Sequence, residues 1–433
     1  MSTQKPVFFN SALNIALNTV KRNIDSGDIV LVQDLNGRIR VLADGHESEQ
    51  KTAFDKCSQE LANALGAYGF PKERAVLYAG DMELGDDVVS DRQPIYEEDA
   101  LKVWLLDRQI IGQDWMRAPL QRRTTNRRVT FFGIKGGVGR STALAIWAWR
   151  LAKQGKKVLI FDLDLESPGV SSTLLPSEYL PDYGIVDWFV EDSVGQANII
   201  EDAIIASSPL ARDLPGEIRI VPAFGRDTGD YLPKLARCYS ELSDNAYKPW
   251  GERLQQMVEE VEDKERPDLV ILDSRAGIHD IAAVSVTRMG ADAFIFAVDS
   301  LQTWKAYAFL FSHWQKYPKE QLREFRRRLQ IVASLVPETD RERYLNRFIE
   351  RSWGLFRDHL YDEAGAQTTD AFSFDIEDKE APHYPLQVNW NRGLQEFDPL
   401  QNSKGVDEQD VQTAMGKFMT EAQRIVFAGE EDL

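Results

Sequence analysis

Cysteine is nearly absent from this chain. Cys57 and Cys238 are the only two in 433 residues. They stand far apart and in no metal-ligand spacing, which excludes a disulfide framework and points to a reducing, intracellular compartment. Long apolar runs are missing too. Nowhere do about 18 apolar residues follow one another, so no membrane-spanning helix is expected. The opening MSTQKPVFFNSALNIAL lacks the charged start, unbroken apolar run and small-residue cleavage site of a secretory leader. A soluble, cytoplasmic protein with no membrane partner is therefore expected. Positive charge is in deficit, with 51 Lys and Arg against 69 Asp and Glu and a formal net charge of -18. Such a surface repels phosphate backbones and anionic lipid on average, so contact with either needs a local patch. What is present suits a folded protein. A hydrophobic fraction of 43% and an aromatic fraction of 10% exclude disorder and supply a sizeable core.

The length exceeds one ordinary core, so two domains or one enlarged domain are expected. Residues 1–116 read as a small α/β unit. Phe8 to Arg22 and Thr52 to Tyr68 have helical character, and Asp28–Asp34 and Arg38–Ala43 read as strands joined at Asn36-Gly37, a strong hairpin signal. Arg74–Tyr78 and Ala100–Leu106 read as further elements of this unit, which shows no catalytic constellation. Residues 117–128, RAPLQRRTTNRR, are basic and without period, as in a linker. From Val129 onward, short buried strands alternate with helices, the pattern of a mostly parallel, doubly wound sheet covered on both faces. Strands are expected at Val129–Ile134, Lys157–Asp162, Ile218–Val221, Leu269–Asp273, Ala293–Val298 and Leu329–Leu335. Surface helices are expected at Arg341 to Leu360 and Gln409 to Phe427, closing a domain at 129–433.

One absence is local. No acidic residue lies between Trp115 and Phe161, where eleven Lys and Arg fall; a basic linker or a field suited to a polyphosphate both account for it. Inside this window Val129-Thr-Phe-Phe-Gly-Ile-Lys-Gly-Gly-Val-Gly-Arg-Ser-Thr142 leads an apolar strand through a glycine-rich turn into a helix that stops at Gly155. That order aims backbone N–H groups and the positive end of the helix dipole at an anion. Gly136, Gly137 and Gly139 let the backbone curl around phosphates. Ser141 places a hydroxyl for Mg²⁺, and Thr142 one for a phosphate oxygen.

The segment KGGVGRST resembles the deviant Walker A motif of the ParA/MinD class of P-loop ATPases, and the likeness extends over roughly residues 129–400. It implies an ATP cradle made of Lys135, Gly136, Gly137, Val138, Gly139, Arg140, Ser141 and Thr142. It further implies that Lys135 reaches a partner's nucleotide, making ATP binding and homodimerisation one event. Ile160-Phe-Asp-Leu-Asp-Leu-Glu-Ser-Pro-Gly169 is similar to the family's second-strand segment. The likeness gives Asp164 the attacking water and Asp162 a place in the Mg²⁺ shell. Asp268-Leu-Val-Ile-Leu-Asp-Ser-Arg-Ala-Gly277 looks like the Walker B strand, with Asp273 holding Mg²⁺ through water. Each aspartate is otherwise explained as a helix cap. His383-Tyr-Pro-Leu-Gln-Val-Asn-Trp-Asn391 resembles the late loop that packs on adenine, with Pro385 as the contact.

The chain departs from that pattern at two positions. Arg140 replaces the phosphate-binding lysine; it keeps the charge and can fork onto two oxygens, but it is wider and planar, so binding should survive and hydrolysis should be slow. Arg275 replaces a proline and either faces a phosphate or pairs with a surface acid, the latter being favoured. Together with Tyr183-Gly-Ile-Val-Asp187, these motifs resemble a variant branch of the class. Iron–sulfur and tail-anchor relatives need paired cysteines, and a membrane anchor needs a basic terminal helix, whereas Asp407 to Leu433 is net acidic. The expected function is an ATP-driven dimerising switch that hydrolyses slowly and signals to a protein partner through residues 1–116. Its rivals are a scaffold that binds nucleotide without hydrolysis and a DNA-associated partition or defence ATPase. The last rests on Lys319 to Arg328, KEQLREFRRR, with five basic residues on a helical stretch; a solvated helix face is the plainer explanation.

Overall fold

The computed structural model describes residues 6–43, 47–78, 92–98, 100–108, 112–120, 126–239, 248–362, 371–394, 397–400 and 406–428. These divide into two compact units, Met1–Gln113 and Asp114–Leu433.

In the first unit the helix Phe9–Asn23 buries Ala12, Ala16, Thr19 and Val20, a stripe at helical spacing. β1 (Gly27–Gln33) and β2 (Ile39–Ala43) form the expected antiparallel hairpin. Its turn is fixed by chemistry the sequence displays: Gly37 takes φ +78°, and the Asp34 carboxylate accepts the N–H groups of Asn36 and Arg38 at 2.9 Å each. With β3 (Val76–Tyr78), β4 (Gln93–Glu98) and β5 (Leu101–Asp107), they make a five-stranded sheet in the order β3-β2-β1-β5-β4. The helix Glu47–Ala64 lies with the first helix over one face, burying Phe54, Cys57 and Leu61 against Ile29, Leu31 and Val103.

The second unit is built on an eight-stranded sheet. Its strands are β6 (Arg128–Gly133), β7 (Lys157–Asp162), β8 (Ala206–Ser207), β9 (Glu217–Val221), β10 (Leu269–Asp273), β11 (Asp292–Ala297), β12 (Leu329–Val336) and β13 (Leu386–Asn389). Their order is β13-β12-β11-β6-β10-β7-β9-β8, parallel throughout except where β8 meets β9. Both faces are apolar because each strand alternates between two cores. Phe131 and Ile160 pack under the helix Arg140–Lys153, while Phe132 and Phe161 face the opposite helical layer. The rings of Phe131, Trp147, Phe294, Phe296 and Phe418 meet at centroid distances of 5.4 to 6.3 Å and fill the first of these cores. Phe418 belongs to the helix Glu408–Val426, which lies on the sheet as a covering layer. Among the described residues no helix is long and apolar enough to cross a membrane. Both cysteines are free and buried, and burial pushes each thiol up to about 12, which keeps it inert.

Two expectations are corrected here. The second unit begins at Asp114, and the described parts of 117–128 pack onto it, whereas residues 121–125 lie outside the described residues. Arg117 pairs with Asp114 at 2.6 Å, both buried, and the Leu120 N–H donates to the Thr287 carbonyl at 2.9 Å. Two of the arginines that looked like linker, Arg117 and Arg128, serve as donors to buried partners instead. The basic stretch Lys319 to Arg328 is likewise broken up. Arg326 is buried and holds Asp362 at 2.7 and 2.9 Å, and Arg328 turns inward to the Leu120 carbonyl at 3.0 Å. Lys319, Arg323 and Arg327 remain exposed, interleaved with exposed Glu320 and Glu324.

Arg128 shows how much such a buried pair carries. Its Nε lies 3.1 and 3.2 Å from the two Glu262 carboxylate oxygens, its Nη2 also meets Glu262, and its Nη1 donates to the Met289 carbonyl at 3.1 Å. Glu262→Gln keeps the shape and strands the guanidinium. The expected loss is about 3–5 kcal/mol in urea unfolding followed by tryptophan fluorescence. An unchanged midpoint would show that the pair does not hold the start of β6.

Candidate functional site

β6 ends at Gly133, and the chain turns through Ile134 to Gly139 before the helix Arg140–Lys153 begins. Gly137 and Gly139 take φ +69° and +75°, a region that costs any other residue strain. The turn is held from three sides. The Ile134 N–H donates to the buried Tyr307 hydroxyl at 3.1 Å, which itself donates to the Phe296 carbonyl at 2.7 Å. Ser334 donates to the Val138 carbonyl, and the Gly277 N–H to the Gly133 carbonyl at 3.1 Å. The first N–H groups of a helix have no partner within it, so this N-terminus offers fixed donors and a positive dipole end to an anion. Lys135, Gly136 and Gly137 are exposed at its mouth, Ser141 and Thr142 are half-buried, and the Val138 side chain is buried.

The carboxyl ends of β7 and β10 stand beside this turn, with Asp162 and Asp273 paired in register. Ser141 Oγ donates to Asp273 Oδ2 at 2.8 Å. Asp162 accepts the Ser171 N–H at 3.0 Å and the Ser171 hydroxyl, and it also accepts the Asp164 N–H at 3.3 Å. Burial, together with the Asp273 charge, pushes Asp162 up to about 7. Burial also raises Asp164, against the pull of Arg140.

These residues fit a divalent cation of the Mg²⁺ kind. Among the described residues no three His, Cys, Asp or Glu side chains form a ready metal cage. Mg²⁺ needs none, since it takes few protein ligands and keeps waters and phosphate oxygens. A hydroxyl joined to a strand-end carboxylate, with two further carboxyl groups beside it, is a suitable donor set.

Arg140 departs from expectation. Its guanidinium was placed on phosphates by the resemblance, but it points inward, 8% exposed, with Nε donating to Asp273 Oδ1 at 2.8 Å and Nη2 to Asp164 Oδ2 at 3.3 Å. Burial works against its charge, yet the Asp273 and Asp164 carboxylates outweigh burial and hold its proton more firmly than usual. Pro385 is corrected outright. It precedes β13 and lines a cavity together with Asp292 and Leu329, the first residues of β11 and β12. That is the amino end of a parallel sheet, opposite the glycine turn. Trp390 and Asn391, directly after β13, lie at the turn's end of the sheet.

Other contributors escaped the sequence reading. Arg275 does pair with an acid, Glu166, which also accepts the Tyr239 hydroxyl at 2.7 Å. This links the loop after β7 to the loop after β10. Glu166 stands within a conspicuous motif, but nothing local names its partners. Tyr307 and Ser334 come from distant helix and strand positions with no signal at all.

The family described as the CobQ/CobB/MinD/ParA nucleotide binding domain matches residues 129–352. An uncharacterized ATP-binding protein of Methanocaldococcus jannaschii is 30% identical over 122 residues, 28% of this chain and 41% of that protein. The match thus spans less than half the length of that relative. Among solved structures, pNOB8 ParA bound to nonspecific DNA is 15% identical with a TM-score of 0.44, over 71% of this chain and 99% of its own. Cobyrinic acid a,c-diamide synthase of Mycobacterium smegmatis, with bound ATP analog and magnesium, is 15% identical with a TM-score of 0.37, over 52% and 83%. The family match, rather than these distant likenesses, carries the assignment.

The Tyr307 anchor is testable by itself. Tyr307→Phe removes one hydroxyl and strands the buried Ile134 N–H, with an expected loss of about 1–3 kcal/mol in urea unfolding. Wild-type stability in that variant would remove the hydroxyl from the account of how the turn is held.

Proposed function

Because the chain belongs to the CobQ/CobB/MinD/ParA family of nucleotide-binding domains, we propose that it is an ATPase switch: it binds ATP with Mg²⁺ at the glycine turn, dimerises on doing so, hydrolyses slowly and reports its state to a protein partner through residues 1–113. The observation that carries this reading is the joining of Ser141 to Asp273 at 2.8 Å beside a helix N-terminus entered through glycines. Backbone donors of Gly136 to Thr142 would bind and orient the phosphates. Ser141 and Asp273 would hold the cation, with Asp162 behind them; when bound, Mg²⁺ supplies charge neutralisation at the phosphates. Asp164, partly exposed, would orient a water and accept its proton once released from Arg140. Lys135 is exposed at the mouth, as a residue acting on a second copy must be. The family match and the relative named ATP-binding support the nucleotide; the dimer and the partner rest on the resemblance of KGGVGRST.

A second reading, a scaffold that binds nucleotide without hydrolysis, is favoured by one observation: Arg140 occupies Asp164, the residue expected to handle the water. Phosphate release from purified protein separates the two. Turnover that depends on Mg²⁺ supports the ATPase, and binding of a fluorescent ATP analogue with no release above background supports the scaffold. Asp164→Ala is expected to lower turnover by about 10²–10⁴-fold while leaving analogue binding intact. Lost binding in that variant would make Asp164 structural. Lys135→Ala should still bind nucleotide but remain a monomer in light scattering with ATP. A variant that dimerises on ATP as wild type does would end the cross-subunit role of Lys135.

A further inference from the structure

We propose that Arg140 is the resident counter-cation of the acid cluster, so that a divalent cation enters only when phosphates draw the guanidinium away. The inference rests on the reading above, in which Mg²⁺ accompanies the nucleotide. Its basis is geometric. Arg140 opens a helix beside an exposed loop, yet its side chain is buried among the residues that would hold the metal. Asp273 is engaged at both oxygens, Oδ1 by Arg140 at 2.8 Å and Oδ2 by Ser141 at 2.8 Å. Asp164 gives its Oδ2 to the same guanidinium at 3.3 Å. One fork thus spans two carboxylates, one at the end of β10 and one in the loop after β7, which a single ammonium with its compact charge does not match.

The arrangement makes the two ligands depend on each other. Withdrawing the guanidinium with no replacement would leave buried carboxylates facing one another without a cation. Phosphates offer the guanidinium an equivalent bidentate partner, and the vacated carboxylates then accept the metal. Nucleotide alone meets a fork already engaged, and metal alone meets an occupied Asp273. An arginine does not lose its proton in the ordinary pH range, so ligand exchange, rather than pH, releases it. The substitution of arginine for lysine in the motif then sets the condition for loading the site, a role separate from any effect on the chemical step.

The test uses the full chain, without nucleotide, and Mn²⁺ as the probe, with free Mn²⁺ read by electron paramagnetic resonance. Wild type is expected to bind Mn²⁺ weakly. Arg140→Gln should bind it at least about tenfold more tightly, about 1.4 kcal/mol. Adding Asp273→Asn to that variant should abolish the gain. Circular dichroism and melting establish that each variant is folded; should Arg140→Gln fail to fold, Arg140→Met keeps the aliphatic volume and carries the same comparison. Equal Mn²⁺ affinity in folded wild type and variant overturns the counter-cation role, as does a gain that survives Asp273→Asn. Binding of a fluorescent ATP analogue with Mg²⁺ is measured separately on wild type. Its absence defeats the nucleotide reading, whereas equal Mn²⁺ affinity with normal analogue binding defeats only the role of Arg140.

Discussion

Asp162 and Asp273 end neighbouring parallel strands in register, out of water, so two carboxyl groups lie side by side where solvent cannot screen the repulsion between their ionised forms. Much of the surrounding architecture answers that repulsion. Ser171 gives Asp162 a backbone and a side-chain donor, Ser141 gives Asp273 a hydroxyl, and Arg140 brings a full positive charge between Asp273 and Asp164. A buried carboxylate pair costs stability unless it is paired or put to use. Here the same geometry that makes the pair costly suits it to a cation, and Arg140 supplies one from within the chain.

The glycine turn is held from outside for a complementary reason. Its own residues supply little, since glycine adds freedom and no contacts. Order comes from outside, through Tyr307 below the turn, Ser334 beside it and Gly277 on the switch-like loop after β10. The bond from Gly277 to Gly133 and the pair of Arg275 with Glu166 connect three loops at one end of the sheet. The turn is therefore joined by direct contacts to both neighbouring loops. Under the proposed function, that connection would give the site a physical route to conformational output.

Much of the second unit was legible in advance because its strands are short apolar runs, of which β6, β7 and β10 are closed by Gly or Asp. β7 and β10 fall where expected to the residue. The hairpin at Asn36-Gly37 was legible for the same local reason, a turn that needs positive φ. β13 was missed: four residues inside a stretch read as a loop carry too little period to register. Pro385 followed from that miss, since a residue before a parallel strand and one after it lie at opposite ends of the sheet.

The chain by itself determined the elements whose causes are local: apolar alternation, glycines at positive φ, a hydroxyl at a helix start and aspartates at strand ends. These suffice to name the glycine turn and its two acids. The tertiary structure alone decided where long cationic side chains point. Arg117, Arg128, Arg326 and Arg328 read as linker or surface patch and became donors to Asp114, Glu262, Asp362 and the Leu120 carbonyl, while Arg140 turned from the phosphate side to Asp273 and Asp164. The reason is physical. A guanidinium carries a long flexible stem and five donors, so its direction is set by whichever acceptors the fold brings within reach, and those acceptors are mostly remote in the sequence.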